Sequence, residues 1–139
     1  MRGRLWPGLA AFLLTATPLA AQDAVTFRSP SGNIACAGHD DEGKPGVRCD
    51  LAAVSKRSLR RPADCDLDFG QAFFVAAASA RGMAVCHGDT VADPEARVLP
   101  YGQDWRWKGL VCRSSPAGMR CVNARGAGFE ISRERQRVF

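Results

Sequence analysis

GVRCD at residues 46–50 and GMRCV at 118–122 are nearly one phrase written twice, and each copy follows an earlier cysteine across a short polar gap containing glycine. Ahead of the first copy, Val25 and Phe27 give way to a Ser-Pro-Ser-Gly turn at 29–32. Ile34 and Cys36 follow, and DDEGKPG at 40–46 leads into Val47, Arg48 and Cys49. Ahead of the second copy, Leu110, Val111 and Cys112 run into SSPAG at 114–118, then Met119, Arg120 and Cys121. Apolar runs bounded by turn-forming residues read as strand, turn, strand. In each unit the two cysteines stand at comparable distances from the turn on facing strands, close enough for a cross-strand bridge. The pairing that follows is Cys36 with Cys49 and Cys112 with Cys121, leaving Cys65 with Cys86. Each bridge adds about 2 to 4 kcal/mol.

The N-terminus explains why these cysteines should be oxidised. Arg2 and Arg4 precede an apolar stretch centred on 9–14, and small residues lead up to Gln22. This is the layout of a secretory signal, with cleavage expected after Ala21. Pro7 and Pro18 interrupt the apolar part, which is too short to span a bilayer, where about 20 apolar residues are needed. No cysteine stands at the cut to take a lipid, so residues 22–139 are expected to form one exported domain, periplasmic or extracellular. The whole chain of 139 residues carries a formal net charge of +5, which falls to +3 once Arg2 and Arg4 are gone. That is too modest to argue for nucleic acid as a partner. An even count of six cysteines in an exported chain reads as a disulfide framework, with buried free thiols in some of the six as the alternative. No Cys-x-x-Cys pair suggests a metal site.

Between the two hairpins, 51–68 is a polar, arginine-bearing connection, and Phe69, Phe73, Phe74 and Val75 open an alanine-rich run. A strand over 71–77, turned at 80–82 and returned by 83–86, is the preferred reading, and the alanines keep a helix open. Recurrent turn clusters predict an all-β or β-dominated fold of about six to eight short strands, a small sandwich or barrel-like domain. The ending SRERQRVF is expected to add one short helical turn, with Ser132 capping 133–137.

Residues with catalytic potential are few. His39 and His87 are the only histidines. His87 and Asp89 stand two apart, and a loop histidine beside an Asx turn is the plainer explanation. Asp64, Asp66 and Asp68 alternate as in a calcium loop, but Phe69 occupies the position that needs glycine and Val75 the position that needs a bidentate glutamate. Ser29, Ser31 and Ser132 lie in no nucleophile elbow, and turn chemistry accounts for them. No catalytic residue, metal or cofactor is expected.

FRSPSGNIAC, GVRCDLA, CHGDT, LPYG, GMRCVN and GAGFEISRE, in this order, resemble a family of small exported bacterial cysteine-rich proteins catalogued as a domain of unknown function. The resemblance extends from about Phe27 to Phe139, and its most specific pieces are SPSGNI and GFEISR. The family usually has histidine where this chain has Ala127. The resemblance implies export and a compact cysteine-rich domain, and no activity.

Two surface features suggest binding. Trp105 and Trp107 share one face if extended, with Tyr101 near, and such a row stacks on sugars or anchors an interface. Packing of the indoles into the core is the alternative. Arg120, Arg125, Arg133, Arg135 and Arg137 crowd the C-terminal part, and Arg133 and Arg135 join the aromatic residues as candidate binding residues. Guanidinium groups suit carboxylate or phosphate partners. The expectation is a non-enzymatic binding or structural module of the cell envelope, with an envelope polymer or protein as partner. The alternative is an inhibitor of an envelope-directed, lysozyme-like hydrolase.

Overall fold

The computed structural model describes Gly3 and residues 25–139. The signal segment read over 1–21 lies, Gly3 apart, outside the described residues. Eleven strands follow one another: β1 (Thr26–Arg28), β2 (Ile34–Asp41), β3 (Lys44–Leu51), β4 (Asp68–Ala76), β5 (Met83–His87), β6 (Arg97–Val98), β7 (Asp104–Trp107), β8 (Leu110–Ser115), β9 (Gly118–Asn123), β10 (Gly128–Ile131) and β11 (Gln136–Val138). They form a six-stranded sheet in the order β5-β4-β3-β2-β1-β6 and a five-stranded sheet in the order β11-β10-β9-β8-β7. All neighbours are antiparallel except β1 and β6.

Turn chemistry sets the registers. Glu42-Gly43 and Lys108-Gly109 both have positive φ at the two central positions, which matches the twist of a two-residue hairpin and closes β2 on β3 and β7 on β8. At the β8–β9 turn, the Ser115 hydroxyl accepts from the Ala117 N–H and so fixes the bend around Pro116. Cys36 therefore lies directly opposite Cys49, and Cys112 opposite Cys121, with Cα separations of 4.1 and 4.0 Å. These are the narrow pairs of an antiparallel ladder, where side chains stand closest. Both bridges form, and Cys65 joins Cys86 to tie the 52–67 connection to the edge strand β5.

The two sheets enclose one core. Phe27, Val47, Phe73 and Val75 of the first sheet meet Trp105, Leu110, Met119 and Phe129 of the second. Phe27 lies 4.7 Å from Trp105 by ring centroid, and Phe73 lies 6.1 Å from Phe129. Each such side chain contributes about 1.5 to 3 kcal/mol by leaving water. The two hairpin bridges are fully buried among them, and Cys49 Sγ lies 3.7 Å from Cys121 Sγ. The duplicated phrases thus touch at their sulfurs, across the layer between the sheets.

Two expectations change and one open alternative closes. The C-terminal segment is strand β11, not a helical turn: Ser132 N–H donates to the Arg135 carbonyl, the Ser132 hydroxyl accepts from Arg135 N–H, and Gln136 is buried against Ser58. Those bonds close a four-residue hairpin loop and leave no backbone for a helix. The strand preferred over 71–77 is present as part of β4, which takes in Ala76 while Ala77 and Ala78 turn the chain toward β5, and the described residues contain no helix. The strand count exceeds six to eight because two- and three-residue stretches such as β1, β6 and β11 gain partners only when the sheets assemble. No helix among the described residues is long and apolar enough to cross a membrane.

Candidate functional site

One end of the two sheets carries an open cleft of about 710 Å³. Five segments distant in sequence build it: the β1–β2 loop (Ser29, Ser31, Gly32 and Asn33) with Ile34, Ala52 just past β3, Tyr101, the β8–β9 turn (115–118) and the β10–β11 loop (132–134). The β1–β2 loop is rigid for local reasons. Gly32 N–H donates to the Ser29 carbonyl at 2.9 Å, and the Ser29 hydroxyl accepts from Ile34 N–H at 3.1 Å. The Asn33 amide is engaged at both ends, donating to the Ala53 carbonyl and accepting from Ala53 N–H. On the opposite wall the Arg133 carbonyl accepts from Ser55 and Lys56 N–H, so its main chain is fixed while its guanidinium is exposed. The lining is thus hydroxyl, phenol and amide, with Ile34, Ala52, Pro116 and Ala117 as its apolar members and Arg133 and Glu134 as its charged ones.

A smaller depression of about 200 Å³ adjoins the cleft, sharing Ser115, Ala117, Gly118 and Ser132 with it and continuing to Arg120, Glu130 and Arg135. SPSGNI and GFEISR, the most specific pieces of the family resemblance, both end at this cleft. Of the residues proposed from the sequence, the fold brings together Tyr101, which is 46% exposed, and Arg133, with Arg135 next door.

The tryptophans go elsewhere. Trp105 and Trp107 do share a face of β7, and that face is the inner one. Trp105 is 1% exposed and packs on Phe27, so it offers no surface to a ligand. Trp107 is half-buried, 5.8 Å from Trp105 by centroid, and lies over Gly38, where a Cβ would come within 2.9 Å of the indole. Lys108 sits 5.0 Å from its ring and pairs with Asp40. The pair therefore caps the core beside the β7–β8 turn, whereas the cleft lies beyond the other end of β8.

His87 Nδ1 faces the Asp89 carbonyl at 2.7 Å, while the Asp89 carboxylate goes to Arg48, so no histidine–carboxylate side-chain pair forms. His39 is exposed beside the β2–β3 turn, and Asp64, Asp66 and Asp68 are exposed near β4. Among the described residues the one cluster of ligand-type atoms is the sulfurs of Cys36, Cys49 and Cys121, which are held in disulfides. Their lone pairs sit on bridged sulfur, not on thiolate, the form that binds a metal.

Sequence reasoning missed a charged cluster on the outer face of the first sheet. Arg48 bonds Asp50 through Nε at 2.8 Å and through a terminal nitrogen at 3.0 Å, and reaches Asp89 at 3.0 Å. Asp50 also accepts from Val91 N–H, so the 88–96 connection crosses the sheet over this pair. Burial opposes the Arg48 charge, but its bonds to Asp50 and Asp89 outweigh that and raise its pKa. The same contact with Arg48 holds the Asp89 carboxyl below its ordinary range. The signal was present in the repeated phrase. A cysteine facing the core turns its arginine neighbour outward, in both copies.

The chain belongs to the family of unknown function DUF6636, whose profile matches residues 8–139. No curated protein and no solved structure matches it.

Proposed function

We propose that this member of a family of unknown function is an exported, non-enzymatic binding module of the cell envelope that holds a segment of an envelope polymer in the cleft between the β1–β2 and β10–β11 loops. The observation that carries the reading is convergence: SPSGNI, Tyr101 and the SRE stretch at 132–134, far apart in the chain, line one rigid concavity. Its hydroxyl, phenol and guanidinium groups offer hydrogen bonds to a polar chain, and its apolar side chains offer contact to sugar or peptide carbons. Neither histidine lines it, so its serines have no imidazole to take a proton.

The test is a titration of the oxidised mature protein with solubilised envelope glycan fragments, followed by amide chemical shifts. Perturbations are expected at Ser31, Tyr101 and Arg133. Tyr101→Ala and Arg133→Ala should each weaken binding by about 1 to 3 kcal/mol with the melting temperature unchanged, since neither side chain holds the fold. Unchanged affinity in both variants, or turnover of the fragments, would remove this reading. The inhibitor alternative has one observation in its favour: residues 39–44 at the β2–β3 tip are six consecutive exposed positions, three of them acidic. Loss of lysozyme activity on adding the protein, abolished by Glu42→Lys and untouched by Tyr101→Ala, would select it.

A further inference from the structure

The outer face of the five-stranded sheet carries one charged row across all its strands. Asp104, Arg113, Arg120, Glu130 and Arg137 are directly opposed, each to the next, on β7, β8, β9, β10 and β11. They point away from the core because Trp105, Cys112, Cys121, Phe129 and Gln136 beside them are buried. Asp104 bonds Arg113 at 3.1 Å, and Glu130 faces Arg120 at 3.6 Å and bonds Arg137 Nε at 3.1 Å. The Phe139 ring lies 5.1 Å from the Arg120 guanidinium and 4.8 Å from that of Arg137.

The middle of the row is two like charges. Arg113 and Arg120 are neighbours on adjacent strands, where like charges repel, and each has its carboxylate on the far side. Arg113 commits one terminal nitrogen to Asp104, and Arg120 faces Glu130 through Nε, which leaves further donors of both on side chains 59% and 49% exposed. An oxyanion between them would accept from both guanidinium groups and cancel the repulsion. Asp104 ends the row on one side of the arginine pair and Glu130 breaks it on the other, three strand spacings or about 14 Å away, so a densely charged strand such as a nucleic acid would meet a carboxylate on either side of the pair. A chain with widely spaced charges would not. The depression lined by Arg120, Glu130 and Arg135 runs from this row toward the cleft, a track for an extended molecule and not for a lone ion.

We infer that this face binds a sparsely charged acidic glycan, with Arg113 and Arg120 jointly holding one of its carboxylates or phosphates. The inference goes beyond the cleft and rests on different residues. The experiment compares binding of galacturonate oligomers, phosphodiester-linked glycan oligomers of matched length and neutral dextrin to the mature oxidised protein. Acidic oligomers should bind more weakly as salt rises. Arg113→Gln with Arg120→Gln should lower their affinity at least tenfold, and the ratio between the two acidic probes identifies carboxylate or phosphate as the group held. Arg60→Gln with Arg97→Gln removes the same charge elsewhere and should change affinity less than twofold. Equal weakening by the two double variants would reduce the effect to net charge and overturn the site, as would equal binding of neutral dextrin or of the wild type and the Arg113/Arg120 variant.

Discussion

The β2–β3 and β8–β9 hairpins share a staple, a register and an arginine one residue before the second cysteine, yet their outer faces have opposite fates. In the first, Arg48 faces Ala37, bonds Asp50, and is covered by the 88–96 connection until the two side chains are only 12% and 6% exposed. In the second, Arg120 faces Arg113 with both side chains about half exposed or more, at 49% and 59%. The shared Arg-Cys order fixes which way the arginine points, while Asp50 in the first copy, where the second has Val122, gives it a partner on its own strand. What passes over it decides whether its charge is a buried structural tie or a surface free to meet a partner.

The strongest way to probe the comparison is to remove each staple. Replacing Cys36 and Cys49 by alanine, or Cys112 and Cys121, should cost about 2 to 5 kcal/mol in either hairpin. The sequence separations of 13 and 9 residues alone favour the first bridge by only about 0.3 kcal/mol in chain entropy. A much larger gap between the urea midpoints would locate the asymmetry in native packing.

The charged partners should differ more than the staples do. Asp50→Ala leaves the largely buried guanidinium with Asp89, an exposed partner, and strands the Val91 N–H, and should cost about 3 kcal/mol. Glu130→Ala, its counterpart on the open face, should cost no more than about 1 kcal/mol. Equal losses in chemical denaturation would show that the covering connection does not desolvate the Arg48–Asp50 pair.

The smallest effect is one of pH. The bond from Arg137 holds the Glu130 carboxyl below its ordinary value of 4.5. The unfolded chain therefore takes up this proton first as pH falls, so the contribution is complete above that value and is lost as pH drops through the lower folded one. Melting temperatures of the wild type and of Glu130→Gln should differ near neutrality and converge in acid. A difference that persists unchanged to about pH 3 would assign the effect to packing and not to charge.

Much of this was legible in the chain. Paired cysteines around turns placed two hairpins and their bridges, because a cross-strand disulfide is a local constraint. The tryptophan pair was read as facing one way, but alternation cannot say which side of β7 is inside. That depended on Phe27 and Gly38 arriving from the other sheet. SRERQRVF offers only Val138 and Phe139 as strand formers, after a run of charged residues, and its pairing as β11 is fixed by Gln136 bonding Ser58. The cleft was hidden for a related reason: its walls come from five segments, and nothing within any one of them indicates the others. The opposed Arg113 and Arg120 were within reach of sequence reasoning, since each adjoins a cysteine of the same bridge.

The three bridges run 36–49, 65–86 and 112–121, so every loop closes before the next one opens. Connectivity of this kind is strictly consecutive. A thiol oxidant that joins each new cysteine to the last unpaired one, as the chain appears from its N-terminal side, arrives at the native set without reshuffling a bond. An isomerase is needed only where bridges interleave or nest. Here the nearness of Cys49 to Cys121 adds the one attractive wrong partner, and it becomes available only after both hairpins have already closed.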